Sequence, residues 1–252
     1  MSPLAATIIL GAALFTSFIS SIFGMLGGLL LMAVLITIMS TGPAMVLHGL
    51  IQFVSNIYRA FLNRKAIQWP IISVFLVGAI AALCGLAFVS FIPNETTVLI
   101  ALGLLPFIAA ALPNRLALNI SQPYMPMFAG LIVVPVNALT GVGGPILDVF
   151  FQRVSLTRHQ VVATKAVIQA LAHTTKIIYF GVLVGGMQNW PSTPLLFCAF
   201  ILVLVGTYAG KHVLDKLNDK TFSSWTSAIV MVAGVLILVR GLGLTNYWDR
   251  KL

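Results

Sequence analysis

Long apolar runs, broken at a few glycine- and proline-marked points, make up almost the whole chain. Their lengths and breaks predict helical segments at about 4–23, 27–40, 43–62, 70–92, 96–112, 123–140, 144–153, 158–185, 191–213 and 222–242. The runs are continuous rather than alternating, which predicts helices and not a barrel. Gly24-Met25-Leu26-Gly27-Gly28 interrupts the first stretch and Gly141-Val142-Gly143-Gly144-Pro145 the sixth. Glycine frees the backbone and proline cannot continue a helix. The run 144–153 is too short to cross a hydrocarbon core about 30 Å thick. Paired, glycine-interrupted segments of this kind point to half-helices or re-entrant hairpins.

Polar positions interrupt this pattern in two ladders. His48, Gln52, Asn56 and Arg59 form one; Lys165, Gln169, His173 and Lys176 form the other. Both have the spacing i, i+4, i+8, i+11, and each member of the second lies 117 positions after its counterpart. At about 100° per residue the four positions span an arc of roughly 80°, so each ladder is a stripe on one helix face, about 16 Å long. Ionisable and amide groups inside membrane helices are expensive and by default mark a pathway or site.

The glycine breaks share the repeat, since Gly27-Gly28 precedes Gly143-Gly144 by 116 residues, and Trp69-Pro70 is answered by Trp190-Pro191. The chain therefore reads as two homologous membrane repeats, 1–113 and 114–252. Composition supports the membrane reading: 60% of residues are hydrophobic and 8% charged, against about 25% charged in soluble domains; the mean hydropathy is +1.06. The net charge of +9 lies in short loops and inside helices, so it does not indicate nucleic-acid binding. The N-terminus lacks a basic leader, and the first apolar stretch is expected to be retained. Cys84 and Cys198 sit in apolar runs and are expected in the core.

Loop charges orient the halves. Arg64 and Lys65, then Arg115, Arg153 and Arg158, then Lys211, Lys216 and Lys220 argue for the cytoplasmic side, whereas the loop 185–193 carries no charge. One arrangement fits: segments 4–40 and 123–153 each enter and leave on one side, and three crossing helices complete each half. An odd number of crossings inverts the halves and puts both termini outside, against which Arg250 and Lys251 speak mildly. The fold class expected is thus an all-α polytopic membrane protein with two inverted halves, each a re-entrant hairpin plus three crossings. The alternative is an eight-span arrangement with parallel halves, which puts Arg153, Arg158 and the 211–220 lysines outside. Trp69, Trp190, Trp225 and Trp248 fall near helix ends, as interface anchors do.

The ladders carry amides, two histidines and the cations Arg59, Lys165 and Lys176. Such donors in a low-dielectric setting suit an anion; amides and histidines also glue membrane helices together. Of the eight rungs, Arg59 and Lys176, at the ladder ends, are the ones most open to the competing explanation of snorkelling to an interface. Backbone N–H groups around Gly27, Gly28, Gly143 and Gly144 could hold an anionic group; close helix packing is the competing explanation. Asp148, the one carboxylate expected within the membrane region, could pair with Lys165 or carry a coupling proton. Thr140 and Thr164 are further hydroxyl candidates. No catalytic or metal-ligand spacing is present, and no cofactor or nucleic-acid partner is implied.

The break Phe23-Gly24-Met25-Leu26-Gly27-Gly28, its echo Thr140-Gly141-Val142-Gly143-Gly144-Pro145 and the following Ala163-Thr164-Lys165 resemble the TauE/SafE sulfite exporter family over nearly the whole chain. The resemblance implies a multi-pass inner-membrane permease exporting sulfite or organosulfur anions such as sulfoacetate. Leu29 after Gly28 and Pro145 after Gly144 depart from the fuller glycine run of that family. The expectation is a secondary transporter of small anions working by alternating access. The twelve ladder and glycine positions named above would bind substrate, and Asp148, His48 or His173 would be coupling groups. An anion channel, a membrane-embedded enzyme and a permease for other solutes are the rivals. The partners expected are the bilayer and the anion; a homodimer is left open.

Overall fold

A computed structural model describes residues 2–89, 91–112, 118–152, 154–185, 190–214 and 219–244, with the backbone alone for Met25, Leu214 and 219–228. Arg115, Arg153, Lys216, Trp248, Arg250 and Lys251, and the side chains of Lys220 and Trp225, lie outside the described residues, as does the boundary between the expected repeats.

The described residues form ten α-helices and no strand: α1 (Pro3–Phe23), α2 (Met25–Ile38), α3 (Thr41–Leu62), α4 (Trp69–Ala87), α5 (Glu95–Ala111), α6 (Met125–Thr140), α7 (Gly144–Phe151), α8 (Arg158–Ile178), α9 (Thr193–Leu214) and α10 (Asp219–Gly241). A π-helical stretch, Tyr179–Val184, prolongs α8. The expected segment 70–92 ends early, at Ala87. Four spans are long and apolar enough to cross a bilayer on composition and length: Pro3–Phe23, Trp69–Ala87, Arg158–Val184 and Thr193–Val213. With the shorter apolar helices around them, they make this a polytopic membrane protein. α3 has 22 residues and the necessary length, but its polar ladder lowers its hydropathy.

The closest helix pairs are α1 with α9, α4 with α6, α3 with α8, and α5 with α10. Every one of them joins a helix of the first half of the chain to one of the second. Moving each helix to its counterpart five places along converts α1–α9 into α6–α4 and leaves α3–α8 and α5–α10 as they are. Missing side chains permit the close approaches: a Cβ on Gly206 would lie 2.4 Å from the Leu14 carbonyl, and one on Gly130 2.6 Å from the Phe75 carbonyl. Small residues do this work in membranes, where apolar burial between helices gives no driving force.

Both glycine breaks pass through positive φ, at Gly24 (φ 65°, ψ −106°) and at Gly141 (φ 81°, ψ −12°); only Gly141 is in the left-handed helical region, and either conformation costs an L side chain about 1–3 kcal/mol. α2 then turns back along α1 so closely that a Cβ on Gly27 would lie 2.0 Å from the Thr16 carbonyl and 2.6 Å from Ser20 Cβ. After the second break a Cβ on Gly143 would lie 2.7 Å from Val133 and 3.4 Å from Asn137 Cβ. Thr16 and Val133, like Ser20 and Asn137, are 117 residues apart.

Cys84 and Cys198 are not in the core; both are exposed on the outer face beside residues such as Phe197, 67% exposed. An outer face turned to lipid is as apolar as the interior, so hydropathy does not separate the two. Trp69 is exposed at the start of α4, whereas the Trp190 indole donates to the Gly181 carbonyl at 3.0 Å.

Candidate functional site between the glycine breaks

The polar stripe of α3 faces that of α8, and the helices run antiparallel: His48, near the start of α3, meets Lys176, near the end of α8, while Arg59 shares a cavity with Arg158 and His159 at the other end. Halfway along both helices lies a cavity of about 20 Å³ lined by Ser20, Gly24, Gly28 and Gln52 of the first half and by Val133, Asn137, Val142, Gly143, Gly144, Gln169, Ala172 and His173 of the second. That volume holds about one water. Ser20 and Asn137, and Gln52 and Gln169, are pairs 117 apart.

Three buried polar atoms at this cavity have no hydrogen-bond partner: Gln52 Nε2, Asn137 Oδ1 and His173 Nδ1. A buried polar group left unpaired costs about 1–3 kcal/mol. Two of the three side chains are also held by neighbours. The Asn137 amide donates to the Ala172 carbonyl at 2.7 Å, and the His173 ring stands edge-on to His48, centroids 5.4 Å apart. The wall therefore presents unmet hydrogen-bonding capacity from α3, α6 and α8 together.

Four ladder residues brace this wall from behind. His48 Nε2–H donates to the Gly28 carbonyl at 2.8 Å, which leaves Nδ1 as the acceptor for Lys176 Nζ at 2.7 Å. Lys176 also donates to the Gly141 carbonyl at 2.8 Å. Asn56 donates to the Gln52 carbonyl at 2.8 Å and accepts from Arg59 Nη2 at 2.6 Å. Arg59 Nη1 donates to the Ser20 carbonyl at 3.2 Å. Each ladder's final cation thus binds a carbonyl at the end of the helix that precedes the break in its own half, where the helix dipole is negative.

Arg59 and Lys176 do not snorkel: they are 7% and 1% exposed. The carbonyls freed where α1 and α6 end give these cations partners inside the protein, so they need not reach an interface. Lys165 is ion-paired with Asp148, both partly exposed, and does not line the cavity. Gly27 packs α2 against α1 and does not line it either. Thr140 closes the turn at its own break, bonding both the N–H and the carbonyl of Val142, and Thr164 accepts the Gln68 N–H at 3.0 Å. Reasoning from sequence missed Ser20 and Asn137. The signal was present, since they are separated by the same 117 residues as the rungs and stand just before the two breaks.

Among the described residues no cluster of His, Cys, Asp and Glu could hold a metal ion. What the site can do chemically is accept and donate hydrogen bonds to a small polar solute, with two buried cations close behind. No curated protein and no solved structure matches the chain. Both breaks and both ladders fall within residues 9–237, the stretch matched by the family model for sulfite exporter TauE/SafE, and the chain belongs to that family.

Proposed function

We propose that this protein is a secondary transporter that exports small oxyanions, sulfite-like or organosulfonate-like, by alternating access at the cavity between the glycine breaks. Family membership supports export of this substrate class. The observation that carries the site assignment is the set of unpartnered groups Gln52 Nε2, Asn137 Oδ1 and His173 Nδ1 around one cavity. Arg59 and Lys176, held one layer back, supply positive potential without filling the site.

The cavity is too small for a four-heavy-atom oxyanion, so loading requires the helices around it to separate. The antiparallel ladders and the interchange of helix pairs between the halves support inverted repeats, whose rocking exposes the site to each side in turn. The bent helix pairs α1–α2 and α6–α7 serve as the two hairpins, with their tips at the cavity. The charged end of α3, Arg64 and Lys65, faces the cytoplasm on the positive-inside rule, and the inner membrane of a bacterial-type cell is the setting.

Purified protein in liposomes tests the reading. Saturable uptake of labelled sulfite, accelerated by sulfite trapped inside, is expected. Ohmic single-channel currents carrying the same anion would instead make it a channel.

A further inference from the structure

A second cavity lies at the α8 N-terminal end of the ladders. It measures about 20 Å³ and is lined by Ser21, Arg59, Arg158, His159 and Lys211 among others, so, like the central cavity, it must widen to admit an oxyanion. Three cationic side chains and an imidazole meet there from α3, α8 and α9. Arg59 is 7% exposed, and its Nε has no hydrogen-bond partner. A buried guanidinium N–H without an acceptor, in a cavity bordered by further positive charge, is a place an oxyanion satisfies.

The same guanidinium links this cavity to the wall of the central one. Its Nη1 and Nη2 reach the Ser20 carbonyl and hydroxyl at 3.2 and 3.4 Å, and Ser20 lines the central cavity whereas Ser21 lines this one. Ser20 is held in turn by donating to the Gly24 carbonyl at the break, at 2.6 Å.

We propose that the cavity of Arg59, Arg158, His159 and Lys211 is a separate capture site for the oxyanion substrate, and that Arg59 passes the anion between it and the central cavity. The proposal rests on the anion-transport reading above. Arg64 and Lys65 share this end of α3, so capture takes place on the side from which an exporter draws its substrate. An anion on Arg59 Nε competes for the guanidinium with Ser20, and loosening Arg59 from Ser20 unlocks the end of α1 beside the break.

Isothermal titration of the full-length, detergent-purified protein with sulfite, repeated with methanesulfonate, tests this. The parent protein is expected to bind in two steps, one of them strongly weakened by added chloride. Arg158→Gln with Lys211→Gln should weaken that step at least tenfold and leave the other; Gln52→Leu should remove the other. Arg158→Lys with Lys211→Arg should retain both. If the paired glutamine substitutions prevent folding, each single substitution should weaken the salt-sensitive step about threefold. A parent titration with one step only, abolished by Gln52→Leu, overturns the capture site and leaves the transport reading standing. So does a salt-sensitive step untouched by the glutamine variants. Two steps without movement of sulfite across liposomes would leave the capture site standing and overturn transport. In liposomes the glutamine pair should raise KM with kcat retained.

Discussion

Lys176 Nζ lies 2.7 Å from His48 Nδ1 and 2.8 Å from the Gly141 carbonyl, while His48 Nε2 reaches the Gly28 carbonyl at 2.8 Å. This chain ties the second break to the first through one side chain of each ladder. Both groups are buried, His48 fully and Lys176 to 1% exposure. Removing the ammonium by Lys176→Met leaves His48 Nδ1 and the Gly141 carbonyl without donors. A buried acceptor left unpaired costs about 1–3 kcal/mol, so a loss of about 2 kcal/mol in stability is expected, read as reduced Tm in detergent, together with loss of transport. Unchanged melting and transport would show that the bridge holds nothing together.

Gln52 makes the opposite case. Its amide Nε2 is buried and has no partner, so replacing it with an apolar group of similar size removes an unmet demand. Gln52→Leu is expected to leave Tm unchanged or raise it while abolishing transport and the sulfite-binding step at the central cavity. Such a trade between stability and activity is common where a site carries groups for a ligand. Retained binding with retained Tm would remove Gln52 from the site.

How far this site was legible in the sequence depends on the scale of the feature. The ladders and breaks were legible because they repeat: a spacing of 117 residues carries Gln52 to Gln169 and Gly24 to Gly141 without any knowledge of packing. Helix ends followed the glycine and proline positions for the same local reason. The depth of a charged side chain was not legible. Arg59 and Lys176 look like interfacial cations until the carbonyls of Ser20 and Gly141 are seen beside them. Nor was the pairing of helices, which depends on hollows such as those at Gly206 and Gly130 and on distant carbonyls that fill them. Cys84 and Cys198 failed because lipid and core select the same residues.

The two kinds of glycine at the first break should separate in experiment. Gly24 needs its positive φ, but nothing lies within 4 Å of the position of an added Cβ. Gly27 has no unusual φ, yet an added Cβ would overlap the Thr16 carbonyl at 2.0 Å. Gly24→Ala is therefore expected to cost about 1–3 kcal/mol of backbone strain with transport reduced but measurable. Gly27→Ala forces α2 away from α1, moves Gly28 off the Gln52 side chain and should abolish transport. Equal effects of both substitutions would mean that the α1–α2 contact does not shape the site.

The proposed inverted arrangement makes a topological prediction. Lys65 follows α3 and Asn94 precedes α5, with α4 between them; α4 is a 19-residue apolar span, about 29 Å long at 1.5 Å per residue. Lys65 and Asn94 must then face opposite sides, with Lys65 cytoplasmic by the positive-inside rule. The native thiols Cys84 and Cys198 are exposed on the outer face and need replacing by alanine first. In that background, Asn94→Cys should react with a membrane-impermeant maleimide added to intact cells, and Lys65→Cys only after the membrane is opened. In the second half, Thr157, which caps the start of α8, should behave as Lys65 does when changed to Cys, because α8 runs against α3. Labelling of Thr157→Cys from outside would place the two ladder helices parallel across the membrane, which the contact of His48 with Lys176 forbids.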